Sequence, residues 1–328
     1  MLRAEQISRR LKLRQLNVLV AVVRWGSMAR AAEHLAISQP VVSKAIADLE
    51  NTLGVRLLDR YPQGVEPTLY GRALLKRSVA IFNDLRTSVS ELEFLADPTA
   101  GELRIGSPEP MMAGLLSAIV DRLSRQHPRL AFTVTQGDPP TLLERDLRGR
   151  DIDLMFGRLP SASPAVDTKA EVLLQERGIV VAGLQNPWTR RRKIALTELM
   201  DEPWCLPPPE SFPGTLIEKA FEARGLSVPR ANVTVEAIQM QIALLATGRF
   251  LTILPSTMLH FSAQRLSLKI LPVDFPTQTW PVGIVILKDR TLSPATQLFI
   301  GCAREVSKPL AKKRSSSVRP SSPFSKDS

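Results

Sequence analysis

Residues 27–50 read SMARAAEHLAISQPVVSKAIADLE, and this stretch decides the fold of the amino-terminal part of the chain. Small and apolar side chains recur at helical spacing on both sides of a Ser-Gln-Pro step, and a similar apolar stripe runs through residues 13–25. Gly26 and Gly54 are placed to end two helices, and Pro40 lies in the first turn of another, where its missing N–H costs nothing. The spacing therefore predicts three short helices with tight joints, which is a helix-turn-helix unit.

The predicted third helix has a second face with short or hydrogen-bonding side chains and one cation. Gln39, Pro40, Ser43 and Lys44 lie on this face, away from the apolar stripe. Gln pairs with the edge of adenine, Ser and Lys reach base edges or phosphates, and a proline ring contacts a thymine methyl group. This composition suits the major groove of double-stranded DNA, and an ordinary solvated helix face is the alternative.

Residues 55–67 are predicted to form two short strands around a Pro-Gln-Gly turn, a wing with Arg60 beside its tip. A long helix is then predicted from Thr68 to about Asp97. Its apolar residues repeat with the spacing of a coiled-coil seam. They are Leu75, Phe82, Leu85, Val89 and Leu92. We interpret the seam as a dimerisation surface, and packing of the helix on its own domain is the alternative.

Beyond a linker at residues 98–101, predicted strands alternate with predicted helices up to residue 307. This alternation is typical of a parallel α/β layout. The strands fall into two sets, with crossings expected near residues 160–175 and 265–280, so we predict two subdomains around a cleft. Residues 308–328 contain mostly Ser, Pro and basic residues without periodicity, which predicts a disordered basic tail.

The charge of the chain is concentrated at its two ends. The whole sequence of 328 residues has a net charge of +11, of which residues 1–77 carry +7 and the tail from residue 309 carries +4. A basic end beside a neutral body indicates one part that meets a polyanion, and nucleic acid fits better than a membrane surface. Two cysteines and three scattered histidines predict neither a disulfide framework nor a zinc cluster.

Several function classes are disfavoured by what the sequence lacks. The start of the chain has no apolar signal segment and no apolar run approaches the roughly 20 residues that span a bilayer, so we expect a cytoplasmic protein without a membrane partner. No nucleotide-binding, serine-hydrolase or zinc-protease motif is present, so we expect neither an enzyme nor a bound cofactor. A free solute-binding protein would lack the basic head. A non-specific architectural DNA-binding protein with a vestigial solute-binding domain stays as the alternative function.

Residues 27–50, with Leu53-Gly54, Arg60 and Thr68-x-x-Gly71, closely resemble the LysR-type transcriptional regulators. The resemblance covers residues 13–307 and is strongest in 13–75. It implies a winged helix-turn-helix domain over 1–67, a linker helix over 68–97 that pairs two chains, a hinge at 98–101, and an effector-binding domain over 102–307 similar to periplasmic solute-binding proteins. It also implies a homodimer or homotetramer that binds an interrupted two-fold site beside RNA polymerase at promoters and responds to a small-molecule effector.

The resemblance also implies roles for individual residues. The groove-facing positions would be Gln39, Pro40, Ser43 and Lys44, and Arg60 would serve the wing. Three further residues, Ser27, Ser38 and Thr68, would hold helix starts near phosphates, and each is also a predicted helix cap. The sequence departs from the family pattern at Leu58-Asp59, at Tyr70 and at Arg249-Phe250.

Five residues at predicted strand ends and helix starts are candidates for effector binding. They are Ser107, Arg158, Ser211, Phe212 and Glu236. Arg158 would pair with a carboxylate, while Glu236 is predicted to open a helix. Solvated loops and a favourable helix dipole are the alternative roles. Three acidic residues near the expected rim, Glu109, Glu210 and Glu236, favour a hydroxylated ligand such as a sugar or its acid.

Overall fold

The computed structural model describes residues 10–97, 100–159, 166–262 and 266–312. The chain divides into two compact units, and the division falls between Val89 and Ser90, inside a long helix. Within the described ranges, none of the helices combines the length and the apolar character that crossing a membrane requires. Each unit has its own hydrophobic core.

The amino-terminal unit contains the predicted three helices, the hairpin and most of the long helix. Its elements are α1 Leu13–Trp25, α2 Met28–His34, α3 Gln39–Leu53, β1 Leu58–Tyr61, β2 Gly64–Pro67 and α4 Leu69–Ala96. Aliphatic side chains from all three short helices, such as Leu19, Ala31 and Ile46, fill a core that excludes water. Burying each large one contributes about 1.5–3 kcal/mol. We call residues 10–67 the winged unit.

The three predicted helix caps differ in what their hydroxyls do. Thr68 Oγ1 accepts a hydrogen bond from Gly71 N at 3.0 Å and donates to Arg56 O at 2.8 Å, so Thr68 caps α4 as expected. Ser27 and Ser38 hold the N-cap backbone positions, but neither side chain caps its helix, which corrects the prediction. At Ser38 the reason is Pro40, which has no N–H to donate, while Val41 N bonds to the Ser38 carbonyl.

The α/β unit holds two five-stranded sheets. The strands are β3 Ala100–Ser107, β4 Arg129–Gln136, β5 Leu154–Arg158, β6 Thr168–Glu176, β7 Gly178–Gly183, β8 Trp204–Leu206, β9 Ala231–Thr234, β10 Leu251–Pro255, β11 Leu268–Ile270 and β12 Trp280–Leu287. The orders are β4-β3-β5-β12-β6 and β11-β7-β10-β8-β9. The pairs β3–β4, β3–β5, β8–β9 and β8–β10 are parallel, as predicted. Because β12 runs antiparallel to β5 and β6, and β7 antiparallel to β10 and β11, both sheets are mixed, and the prediction of a parallel layout holds only in part.

The helices of the α/β unit cover these sheets. One helix runs in three segments: α5 Glu109–Met111, a π-helical turn over Met112–Leu116, and α6 Ser117–Gln126. The others are α7 Pro139–Thr141, a π-helical turn over Leu142–Leu147, two 3₁₀ helices over Pro187–Arg190 and Leu196–Leu199, α8 Phe212–Glu222, α9 Ile238–Ala246, α10 Ser256–Ser262 and α11 Pro294–Lys312. The first π-helical turn packs closely on α10, since a Cβ on Gly114 would lie 2.6 Å from Met258 Cα.

Three segment boundaries differ from the sequence predictions. The stretch 168–176, expected to lie within a crossing, is strand β6, and the chain crosses between the sheets at Arg177 and again between β11 and β12. Ala100 and Gly101, expected in the hinge, pair with β4, while residues 98–99 lie outside the described residues. Helix α11 continues through residues 308–312 because Leu310 packs against the core of the first sheet. The remainder of the predicted tail lies outside the described residues.

Candidate DNA-reading face and ligand cleft

Helix α3 separates its buried and exposed residues cleanly. Val42, Ile46 and Leu49 are completely buried in the core of the winged unit. On the other side, Gln39, Pro40 and Lys44 are exposed and Ser43 is half-buried. The side chains of Gln39, Ser43 and Lys44 form no hydrogen bond or ion pair with any residue that the structure describes. The predicted face is therefore open, and its hydrogen-bonding groups are available to a partner.

Two sets of hydrogen bonds hold the wing against the helices. The carboxylate of Glu50, near the end of α3, accepts from Leu57 N at 2.7 Å and from Leu58 N at 3.2 Å. On the other strand, Val65 N donates to Gly26 O at 3.0 Å. Arg60 is exposed on β1. These bonds fix the wing to the carboxyl end of α3 and to the joint at Gly26. The motif of residues 27–50 includes Glu50 but gives no sign of this role.

The predicted seam of α4 divides into two parts. Phe82 is half-buried and packs against the core of the winged unit, so it contacts its own chain, while its place in a dimer seam stays a prediction. Leu75 is half-buried, and buried Ser78 donates to Leu74 O at 2.9 Å. Further along, an apolar row is exposed in the single chain. This row, which we call the outer stripe, consists of Ile81, Leu85, Val89 and Leu92.

Arg158 and Phe212, both predicted effector residues, meet in the α/β unit. Arg158 ends β5, and its guanidinium carbon lies 3.5 Å from the centroid of the Phe212 ring at the start of α8. Burial lowers the pKa of Arg158 from its ordinary value. Within the described ranges, Arg158 has no hydrogen bond and no carboxylate partner. A half-buried guanidinium that lacks an anion is suited to bind one from solution.

An aromatic residue that sequence reasoning missed completes this group. Trp280 begins β12, and its ring packs edge-on against Phe212 at 5.9 Å between centroids. Trp280 reaches this place because β12 is the neighbour of β5 in the first sheet. Its only signal in the sequence was its position at the first residue of a predicted strand. Arg158, Phe212 and Trp280 together form what we call the arginine–aromatic group.

The other three predicted effector residues have different surroundings. The Ser211 hydroxyl donates to Pro208 O at 2.6 Å and accepts from Gly214 N at 3.2 Å, so it caps α8. Ser107, at the end of β3, is completely buried, and among the described residues its hydroxyl makes a single, 3.4 Å contact, with Pro108 O. Glu236 does not open a helix, because α9 begins two residues later; its side chain is exposed.

Two glutamates bind backbone groups at helix starts, which sequence reasoning did not foresee. Glu109 Oε2 accepts from Ile238 N, the first residue of α9, at 3.3 Å. Glu176, at the crossing between the sheets, is completely buried. Its carboxylate accepts from Ser256 N at 3.0 Å, Ser256 Oγ at 2.5 Å and Thr257 N at 3.1 Å, and from the Thr257 hydroxyl. Glu176 therefore fixes α10 to the point where the chain changes sheets.

Comparison with known protein families gives one match for each of the two units. Residues 13–72 match the family described as bacterial regulatory helix-turn-helix protein, lysR family, and residues 96–308 match the LysR substrate binding domain. The chain belongs to the LysR family. LysR-family members are DNA-binding transcriptional regulators with an effector-binding domain, and the resemblance inferred from residues 27–50 is confirmed.

Individual relatives support the same assignment over nearly the whole chain. The HTH-type transcriptional regulator GbpR of Azospirillum brasilense is 30% identical over 299 residues, which cover 91% of this chain and 87% of GbpR. PcaQ of Agrobacterium fabrum is 28% identical over 301 residues, with 91% and 96% coverage. These LysR relatives are transcriptional regulators rather than enzymes, in line with the expectation that the chain is not an enzyme.

Solved LysR structures share the fold. CbnR complexed with its target DNA has a TM-score of 0.61 and 22% identity, covering 90% of this chain and 100% of CbnR. A full-length OxyR variant from Pseudomonas aeruginosa has a TM-score of 0.60 and 20% identity, with 89% and 97% coverage. The expected order of a winged helix-turn-helix, a linker helix and a two-subdomain α/β domain is thus confirmed for this LysR-family chain.

Proposed function

We propose that this LysR-family protein binds an interrupted two-fold promoter site as a homodimer or homotetramer. A small molecule bound beside Arg158 then changes transcription by RNA polymerase. The observation that supports the DNA-binding part of this proposal is the open face of α3. Its hydrogen-bonding side chains face solvent, while the opposite face of the helix is buried in the core. A non-specific architectural role, the alternative, would not require the two sheets or the arginine–aromatic group of the α/β unit.

Each of the eight candidate DNA-binding residues has a proposed part in the contact. Gln39, Ser43 and Lys44 read base edges in the major groove, and the Pro40 ring contacts a thymine methyl group. The hydroxyls of Ser27 and Ser38, which do not cap their helices, are free to donate to phosphates at the helix starts. Thr68 is a weaker candidate for this role because its hydroxyl already donates to Arg56 O. Arg60 follows the phosphates along the wing.

The outer stripe supports the oligomer. Four apolar side chains in a row on α4 are exposed in the single chain, and a helix of 28 residues presents them along a rod of about 42 Å. Association of two such rods buries Leu85, Val89 and Leu92 and holds two winged units together. Leu75 is assigned to the edge of this interface, since it is only half-buried within its own chain.

The proposed effector is a small carboxylate, with a sugar acid as the preferred class. Arg158 supplies the charge for a carboxylate, and the rings of Phe212 and Trp280 supply flat apolar surfaces that suit the C–H face of a sugar. An uncharged sugar is less favoured, because Glu109 is already bonded to the backbone of α9. Ser107, at the end of β3, and Ser211, at the start of α8, are assigned to the surroundings of the site and not to direct contact, because Ser107 is completely buried and the Ser211 hydroxyl caps α8. Glu236 lies exposed beside α9 and is the remaining candidate.

Footprinting on promoter fragments tests the DNA-binding part of the proposal. The wild-type protein should protect one discrete two-fold site. Gln39→Ala should weaken binding to that site by about 1–3 kcal/mol, the cost of one lost base contact, with little effect on random DNA. Gln175→Ala, an exposed glutamine of β6, is the matched control and should bind as the wild type does. Equal losses on both DNAs would contradict base reading by Gln39.

Isothermal titration of the full-length protein with sugars, sugar acids and dicarboxylates tests the effector. We expect a carboxylate to bind, and Arg158→Ala to weaken it by about 1.5–3 kcal/mol, the usual contribution of a hydrogen bond to a charged group. The uncharged sugar of the same skeleton should bind the wild type and Arg158→Ala alike. Tight binding of an uncharged sugar, with no response to its acid, would reject the carboxylate assignment.

A further inference from the structure

A run of four cations lies on the surface of the α/β unit, far in the sequence from the winged unit. Residues 190–193 read Arg-Arg-Arg-Lys, and all four side chains are exposed. Arg191 pairs with Glu198 at 3.0 Å. Arg190, Arg192 and Lys193 form no ion pair or hydrogen bond with the residues that the structure describes, and the nearby acids Asp201 and Glu202 form no ion pair there either. Three of the four positive charges are therefore uncompensated among the described residues. We call residues 190–193 the basic loop.

The basic loop is held in place by buried polar groups. Asn186, which is 2% exposed, accepts from Trp188 N at 3.0 Å and so caps the 3₁₀ helix over Pro187–Arg190. Buried Thr189 donates its hydroxyl to Asn186 O at 2.7 Å, and Lys269 from strand β11 donates to Thr189 O. On the far side, Ile194 is buried and its N–H donates to Pro272 O at 3.2 Å.

Because both ends of the basic loop are anchored, its positive side chains stay close together, and their mutual electrostatic repulsion raises the free energy of the folded chain. Consecutive Cα atoms are about 3.8 Å apart, and a loop fixed at both ends cannot spread its side chains as a free chain would. A surface that serves solubility alone mixes cations with anions. Arginine, which makes up three of the four positions, has a planar group that matches two phosphate oxygens. The loop is thus preorganised for a polyanion with closely spaced phosphates.

We propose that the basic loop is a second DNA-binding surface, which contacts phosphates of the same duplex that the winged unit binds. The proposal rests on the proposed DNA-binding function. Because the loop and the winged unit belong to one chain, binding of the duplex by the winged unit raises the effective concentration of its flanking phosphates near the loop. An acidic protein partner has no such advantage, so the observations favour DNA. Arg190, Arg192 and Lys193 make the contact, while Arg191 stays paired with Glu198.

The test compares the binding of full-length variants to a random-sequence duplex. The duplex is much longer than the DNA that two half-sites would occupy. One variant combines Arg190→Ala, Arg192→Ala and Lys193→Ala. The matched control combines Lys169→Ala, Lys219→Ala and Arg230→Ala, which removes the same charge from three separate exposed positions of the α/β unit. A third protein, with Arg190→Lys and Arg192→Lys, keeps the charge of the loop. Thermal melting of each variant checks that its fold is intact.

The measured quantity is the slope of log affinity against log salt concentration. Each phosphate contact contributes about 0.9 to the magnitude of this slope. The slope of the loop variant should therefore be smaller than that of the wild type by roughly two to three, while the control and the lysine variant should have the wild-type slope. Equal slopes for the loop variant and the control would overturn the proposal. Polyglutamate serves as a probe for an acidic protein partner. If the loop variant lost binding to polyglutamate but kept the wild-type slope on DNA, the proposal would also be overturned. If the wild type bound no DNA at all, the proposed function would fail instead.

Discussion

At the scale of single residues, Asp153 shows how one carboxylate organises its surroundings. It lies just before β5 and is largely buried between two guanidinium groups. Arg104 donates to it from Nη2 at 2.7 Å and from its backbone N at 2.8 Å, and Arg290 donates from the other side. Burial acts to raise the pKa of Asp153, but the hydrogen bonds and both positive charges outweigh it, so the pKa lies below its ordinary value.

Asp153→Asn should therefore destabilise the α/β unit at neutral pH by about 3 kcal/mol, since two buried cations lose their anion. A lowered pKa means that the folded state favours the ionised form. The contribution of ionised Asp153 to the free energy of unfolding is complete above the unfolded pKa of about 3.9. It disappears as the pH falls through the lower pKa of the folded state. Urea unfolding of both proteins from pH 7 to pH 3 should show a constant difference above pH 5 that shrinks below pH 4. A difference independent of pH would argue against this ionic role.

At the scale of elements, α4 performs two tasks along its length. Its first turns bury Ser78 and pack Phe82 on the winged unit, while its later turns expose the outer stripe. The heptad pattern in the sequence indicated a single seam. A period of seven identifies which residues share a helix face, but it does not say what that face meets. Phe82 packs on its own chain, while the outer stripe is exposed in the single chain.

Leu85→Glu should disrupt the paired rods, because it places a charge in the middle of the outer stripe. The expected outcome is a fall from dimer or tetramer mass toward monomer mass in light scattering, with an unchanged circular dichroism spectrum. Ala73→Glu, at an exposed position of α4 away from the stripe, is the matched control and should keep the wild-type mass. An unchanged mass for Leu85→Glu would show that the outer stripe does not hold the oligomer.

The elements that could be predicted are those with local signals. Gly26 and Gly54 end α1 and α3 in the left-handed conformation, with φ of 63° and 71°, as their positions in the sequence suggested. Strand β6 was missed because its partner β12 lies more than a hundred residues further along the chain, and strand formation depends on such pairing. The bond between Glu176 and Ser256 spans 80 residues and leaves no local pattern. Arg158 and Phe212 could be selected as candidates because one ends a recognisable strand and the other begins a recognisable helix, and the structure brings the two together.

At the scale of the whole molecule, two winged units joined through α4 should recognise DNA at a fixed spacing. Insertion of about 5 base pairs between the half-sites, half a helical turn, should weaken binding strongly because it rotates one half-site to the opposite side of the duplex. Insertion of about 10 base pairs restores the phase and should recover part of the affinity. Gel-shift titrations of the three spacings measure this. Equal affinity at every spacing would mean that the winged units bind independently.

The position of β12 has a consequence for synthesis and for genetics. It lies between β5 and β6, so β6 has no neighbour in its sheet until residues 280–287 leave the ribosome. The first sheet is consequently completed late in synthesis, after every residue of the core of the winged unit has been made. A premature stop codon ahead of residue 280 would then yield a fragment that keeps the winged unit but cannot complete the first sheet of the α/β unit. If the winged unit binds promoters as proposed, such a fragment would compete with the full-length protein for the same DNA, and the truncation would be a dominant allele.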